Sequence, residues 1–341
     1  MEMGLKWLKG RRRQGWIIFL MAAVVSPPLQ VSSSRLVCQL TGRGKAEILG
    51  QDSALLLPFD RKVLLYFGDT NLKDGRMIPN SMAETVDRDA SDCLNLSYFT
   101  DSQGVAKEPL KKEGKEASVW LSAVFTIGKE VYAFYYTVAP GWPQPPATYG
   151  TGLAHSTNGG NSFQRTSLLF SPESRFSEVV YALPQLPYLY LLLRTAREGF
   201  GSIYLARVKA EKILSPNSYE VWDGEKWTPE IEKATALFDN AGAPSIQWNS
   251  YLKKWLAVYT ATFSEQGFLS QIEGRTADEL TGPWSSPVVL HRCPREPPRQ
   301  WGSCYNAQHN AVFNKKNGQV IYITASDWLP YNVFLYEITL K

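Results

Sequence analysis

The chain has 341 residues, 44% of them hydrophobic and 20% charged, which is ordinary for a globular protein large enough to bury a sizeable core. Its net charge of +4 sits in the first 34 residues, where Lys6, Lys9, Arg11, Arg12 and Arg13 face one acid, Glu2. The remainder is near neutral, which argues against a nucleic-acid-binding surface.

An apolar run over 16–25 follows the basic segment and ends at Ser26-Pro27-Pro28. It is short for a membrane span and has the layout of a secretory signal peptide, with an uncleaved anchor as the alternative. The expected division is 1–34 as leader and 35–341 as one domain, placed outside the cell, in a periplasm or on a cell surface. Four cysteines, Cys38, Cys93, Cys293 and Cys304, suit export. Cys293 and Cys304 are spaced to staple one loop, and Cys38 and Cys93 to tie the N-terminal strand down. All three pairings stay open on sequence, and no zinc spacing occurs.

The first chemically informative stretch is Leu64-Leu65-Tyr66-Phe67-Gly68-Asp69-Thr70-Asn71, an apolar strand entering a turn. Asp52 precedes the strand-like Ser53-Ala54-Leu55-Leu56-Leu57. Antiparallel pairing sets the start of one strand beside the end of the next, so Asp52 and Asp69 are expected at one mouth. Asp69 as a mere turn former is the alternative. Glu84, Asp87, Asp89 and Asp92 read as a solvated face, and Asn95-Leu96-Ser97 is a glycosylation sequon.

Short apolar or alternating runs continue to the C-terminus, broken by Gly, Pro, Asn and Asp. The clearest hairpins are 119–126 with 131–136 and 311–313 with 320–324; a short helix is expected over 276–280. Hairpins repeating over some 300 residues predict an all-β propeller. Segment 101–117 reads as a solvated loop, and 139–148 as a Pro-rich loop carrying Trp142. Ser156-Thr157-Asn158-Gly159-Gly160-Asn161-Ser162-Phe163 resembles the structural Asp-box turn of sialidase-type propellers, with Asn for Asp. Glu178 stands at a strand start as a third mouth acid or a surface charge. Asp327 either lines the mouth beside Trp328 or caps the last hairpin. Asn71 and Asn80 are candidate donors to sugar hydroxyls. Gln308 and His309 enter a late strand as candidates for a central site. Trp142, Trp301 and Trp328 are candidate stacking platforms, whereas Trp120, Trp248 and Trp255 are expected in the core.

Several segments together resemble one family. They include 65–71 with Ile78-Pro79-Asn80-Ser81-Met82-Ala83, Tyr219-Glu220-Val221-Trp222-Asp223-Gly224, Ala243-Pro244-Ser245-Ile246-Gln247-Trp248-Asn249, Gly282-Pro283-Trp284-Ser285 and Ala325-Ser326-Asp327-Trp328-Leu329-Pro330-Tyr331. In order and spacing they are similar to the domain of unknown function family 4185, placed among the glycoside hydrolases as family 183, and more broadly to five-bladed propeller furanosidases. The resemblance implies an exported glycosidase acting on furanosidic, arabinan-like polysaccharide, with two catalytic acids that fall on Asp52 and Asp69. Asp52 is expected as base and Asp69 as acid. A carbohydrate-binding propeller without catalysis is the competing reading. A monomer is expected, with membrane contact only through an uncleaved leader and no cofactor, calcium being the one ion to consider.

Overall fold

The computed structural model describes residues 28–141, 148–195, 201–261, 263–264, 267–268, 271–293 and 304–341. Within them the chain is all-β, with short 3-10 turns and no α-helix. Five antiparallel sheets of four or more strands follow one another along the chain, and no sheet closes on itself. Two small sheets accompany them. One, formed by Ile48–Gln51, Thr70–Leu72 and Met77–Ile78, flanks the first large sheet.

Each large sheet opens on a strand that touches the opening strand of the next. Leu55–Phe59 meets Ser118–Ile127, which meets Phe176–Gln185, then Ser245–Asn249, then Cys304–His309, which returns to Leu55–Phe59. The apolar pattern explains the order. In Lys62–Phe67, Val63, Leu65 and Phe67 pack against Val320, Tyr322 and Leu335 of the fifth sheet. The alternating Leu64 and Tyr66 pack against Val119, Leu121 and Ala133 of the second. A strand covered on both faces reads as an unbroken apolar run because each face has its own core. Similar clusters join the second sheet to the third, the third to the fourth and the fourth to the fifth. Leu64 and Leu65 are fully buried, so truncating either to Ala costs about 2–5 kcal/mol.

The N-terminal strand Val31–Gln39 completes the fifth sheet by pairing with Tyr331–Leu340. Leu29 is buried beside Leu256 and Leu290. The folded region therefore opens ahead of the expected boundary at residue 35. Cys38 bonds Cys93 and Cys293 bonds Cys304, the pairing that spacing had left open. No helix of the described residues is long and apolar enough to cross a membrane.

Two local expectations are corrected. Residues 276–280 hold no helix: Thr276 and Ala277 finish the strand Gln271–Ala277, paired with Leu256 and Trp255. The expected hairpin of 311–313 with 320–324 does not form: Asn310 accepts from the Val312 amide and coils Ala311–Phe313 into a 3-10 turn, and the upstream partner of Val320–Trp328 is Cys304–His309. The 156–163 turn closes as expected. Asn158 Oδ1 accepts the Ser162 amide at 3.0 Å, Ser156 Oγ accepts the Gly160 amide at 2.8 Å, and Phe163 is buried. Asn95 and Ser97 are exposed around buried Leu96. Secretion from a glycosylating host is expected to add one N-glycan, read as a mass increment that Asn95→Gln abolishes; an unmodified wild type would refute it.

Candidate active site

Asp52 leaves the strand Ile48–Gln51 just before Leu55–Phe59, and Asp69 joins Lys62–Phe67 to Thr70–Leu72. The two acids are joined through backbone: the Asp52 amide donates to the Asp69 carbonyl at 3.3 Å, and the Gly68 amide to the Asp52 carbonyl at 2.8 Å. The Asp52 carboxyl lies over Gly68, where a Cβ would come within 2.4 Å of Oδ1. Gly68→Ala is therefore expected to displace the carboxyl and lower any activity at least tenfold, with about 1–3 kcal/mol lost in stability. A variant as active and stable as wild type would show that the contact does not matter.

Side chains of three other sheets converge here. On the second sheet, Ser118 Oγ and Trp120 Nε1 donate to Asp69 Oδ1 at 3.0 and 2.7 Å. Tyr136, cross-strand from Trp120, meets its ring edge-on at 5.3 Å. On the third sheet, Glu178 and Arg194 are opposite one another and form a buried ion pair. The charges of Glu178, Arg194, Asp52 and Asp69 all act on the Tyr136 phenol, which burial and the three acids hold well above its ordinary range. On the fifth sheet, Tyr305 donates to Asp52 Oδ2 at 2.9 Å, Tyr331 also bonds Asp52, and Trp328 stacks on Tyr305 at 4.3 Å. Ser53 (φ 54°) and Asn306 (φ 53°), both left-handed, face each other through a bond from Asn306 Nδ2 to Ser53 Oγ. Non-glycine residues held in that region store strain, as functional sites often do.

Burial pushes the Asp52 carboxyl up to about 7, and the neighbouring Asp69 charge adds to the rise; the Tyr331 and Tyr305 hydroxyls oppose it. Burial also raises Asp69, against the Trp120 and Ser118 hydrogen bonds and the Lys112 charge. The two carboxyls thus share a field in which one proton is held near neutral pH.

Among the other expected site residues, Glu178 is an ion-paired acid whose charge reaches Tyr136, as those of Asp52 and Asp69 do, and Trp328 is 40% exposed beside Tyr305. Asn80 does not serve a sugar: it is fully buried, with Nδ2 donating to the Leu110 and Val119 carbonyls and Oδ1 accepting the Leu110 amide. Asp327 caps the last hairpin by accepting the Leu329 amide at 3.0 Å. Gln308 is buried and donates to the Ala243 carbonyl, tying the fourth sheet to the fifth. His309 is buried, pairs Nε2 with Asn314 Oδ1, and is held neutral by burial, down to about 4. Asn71 lies on the face opposite buried Thr70 and Leu72, paired with Gly50 and Met77. Trp142 and Trp301 lie outside the described residues. Trp248, expected in the core, is 44% exposed and meets half-buried Trp255 edge-on.

Sequence reasoning missed Trp120, Tyr136, Arg194, Tyr305 and Tyr331. A signal existed for the first: Ser118, Trp120 and Ser122 alternate with Val119, Leu121 and Ala123, which sets a polar face on an opening strand. No group of three or more His, Cys, Asp or Glu among the described residues is placed to hold a metal ion.

The chain is similar in fold to a Bacteroides ovatus protein proposed to be a hydrolase, with a TM-score of 0.61 at 12% identity over 88% of this chain and 87% of that one. It is similar also to an α-L-arabinofuranosidase from Podospora anserina solved with cellotriose (TM-score 0.51, 13% identity, 90% and 95% coverage). A third is an α-L-arabinofuranosidase from Clostridium thermocellum (TM-score 0.52, 13% identity, 84% and 88% coverage). The two arabinofuranosidases have the β-propeller glycosidase fold. No curated protein matches the chain. Residues 45–337 match a single family along nearly the whole domain, and the chain belongs to that family, Domain of unknown function (DUF4185).

Proposed function

We propose that the protein is an exported glycoside hydrolase of the family 183 type, a five-bladed propeller that cleaves furanosidic, arabinan-like polysaccharide with Asp52 and Asp69. The five-bladed reading rests on the cyclic order in which the opening strands touch. Export rests on the apolar leader in the sequence and on two disulfides. No cofactor takes part in this scheme.

The observation that carries the proposal is that Asp52 and Asp69 are joined through backbone, with the Asp69 charge adding to the burial that pushes Asp52 to about 7. Acetal cleavage needs one carboxyl to protonate the leaving oxygen and another, ionised, to activate water or attack the sugar. We assign the donor to Asp52 and the carboxylate to Asp69, exchanging the order expected from sequence. The reason is electrostatic: both carboxyls accept two side-chain hydrogen bonds, but Asp69 also feels a lysine's field, which favours its ionised form, while burial and the Asp69 charge keep a proton on Asp52 close to neutral pH. Trp328 offers an exposed ring against which a sugar can stack.

The test is product analysis on D-arabinan, L-arabinan and other furanose polymers. Wild type is expected to release new reducing ends from at least one polymer, with Asp52→Asn and Asp69→Asn inactive. Binding without release would favour the non-catalytic carbohydrate-binding reading, and equal turnover in all three proteins would remove the assignment.

A further inference from the structure

We propose that Tyr305 is the positioning residue of this site: clamped by Trp328, it holds the Asp52 carboxyl in place through Oδ2. The proposal rests on the acid–base reading above. It goes further by naming the side chain that holds the acid and the ring that supports it.

The geometry is specific to each oxygen. Tyr305 donates to Oδ2 at 2.9 Å. Oδ1 lies over Gly68, where the missing Cβ leaves it room. A phenol O–H can only donate to an oxygen with a free lone pair, and a carbonyl oxygen accepts better than the hydroxyl of a protonated carboxyl. Tyr305 therefore holds the carboxyl through Oδ2, and Tyr331 adds a second bond to it.

The fifth sheet aims the clamp. The register between Cys304–His309 and Val320–Trp328 shifts after Tyr305, and Asn306 turns left-handed at the shift. A bulge of this kind redirects a side chain without loosening the strands around it. Trp328 and Tyr331 pair across the hairpin, and the Trp328 ring lies 4.3 Å from Tyr305 at 24°. A sugar stacked on Trp328 thus presses on the same ring that holds the acid. Binding at the platform and the position of the acid are mechanically joined.

The test is carbon-13 NMR titration of the Asp52 carboxyl, with kinetics on a hydrolysed furanose polymer beside it. Tyr305→Phe removes the donor alone, so the Asp52 midpoint is expected to rise by about half a pH unit or more. The basic limb of kcat/KM should move with it, and kcat should fall about tenfold with KM nearly unchanged. Trp328→Ala keeps the hydroxyl and removes its support; it should raise KM and move the Asp52 midpoint in the same direction by less. This second variant also serves if Tyr305→Phe does not fold. A midpoint unmoved in both variants overturns the clamp. A midpoint that moves in a protein that hydrolyses none of the polymers would uphold the clamp and reject the proposed activity.

Discussion

Asp52→Asn is expected to abolish hydrolysis of polymers while sparing part of the activity on aryl furanosides, and Asp69→Asn to abolish both. The difference follows from the roles. An aryl leaving group departs without a proton, so losing a general acid costs little there, whereas losing the base or nucleophile stops every substrate. On polymers either loss should reach about a thousandfold. The pH profile follows in sign. Asp52 must hold a proton, so activity should fall as pH rises through about 7. Asp69 must be ionised, so activity should fall again on the acid side, above the ordinary carboxylate value because burial raises it. Stability provides a second reading. A folded-state value above the unfolded one means that ionising Asp52 weakens the fold increasingly from about pH 4 to about pH 7. Asp52→Asn should therefore be more stable than wild type at pH 8, by roughly 4 kcal/mol, and indistinguishable from it below pH 4. An aryl substrate equally dead with both variants, or an Asp52→Asn protein no more stable than wild type at pH 8, contradicts the assignment of Asp52.

Arg194→Met is expected to destabilise the protein by about 3 kcal/mol or more, with Glu178→Gln in the same chain recovering much of it. Glu178 and Arg194 keep only 10% and 15% of their side-chain surface, and they face one another on adjacent strands. Removing the guanidinium leaves a carboxylate buried near two further acids, and an unpaired buried charge costs several kcal/mol. Neutralising Glu178 removes that charge, which is why the double variant should lie closer to wild type than the single one. Thermal unfolding of the wild type, Arg194→Met, Glu178→Gln and the double variant measures it. A loss below about 1 kcal/mol in Arg194→Met, or no recovery in the double variant, would mean that water screens the pair.

The sheet framework and the acid pair were legible because both depend on local pattern. Leu64 and Leu65 announce a strand buried on two faces, and Asp52 and Asp69 flank its hairpin. What was not legible depends on contacts far apart in sequence. Trp120 looks like core until its Nε1 meets Asp69 across 51 residues. Tyr305 reaches Asp52 across 253 residues, through a bulge that no motif announces. Asn80 resembles a turn residue facing solvent, yet its amide is sealed between Leu110 and Val119, because composition does not reveal burial. Asp327 had two readings, and the hairpin cap prevailed because the Leu329 amide lies within reach of its carboxylate.

The claim beneath all of this is that Asp52 and Asp69 act on each other. Titrating the Asp52 carboxyl in wild type and in Asp69→Asn measures that coupling directly. The account predicts a midpoint of about 7 in wild type and a lower one once the Asp69 charge is gone. A midpoint near 4 that is the same in both proteins would contradict it.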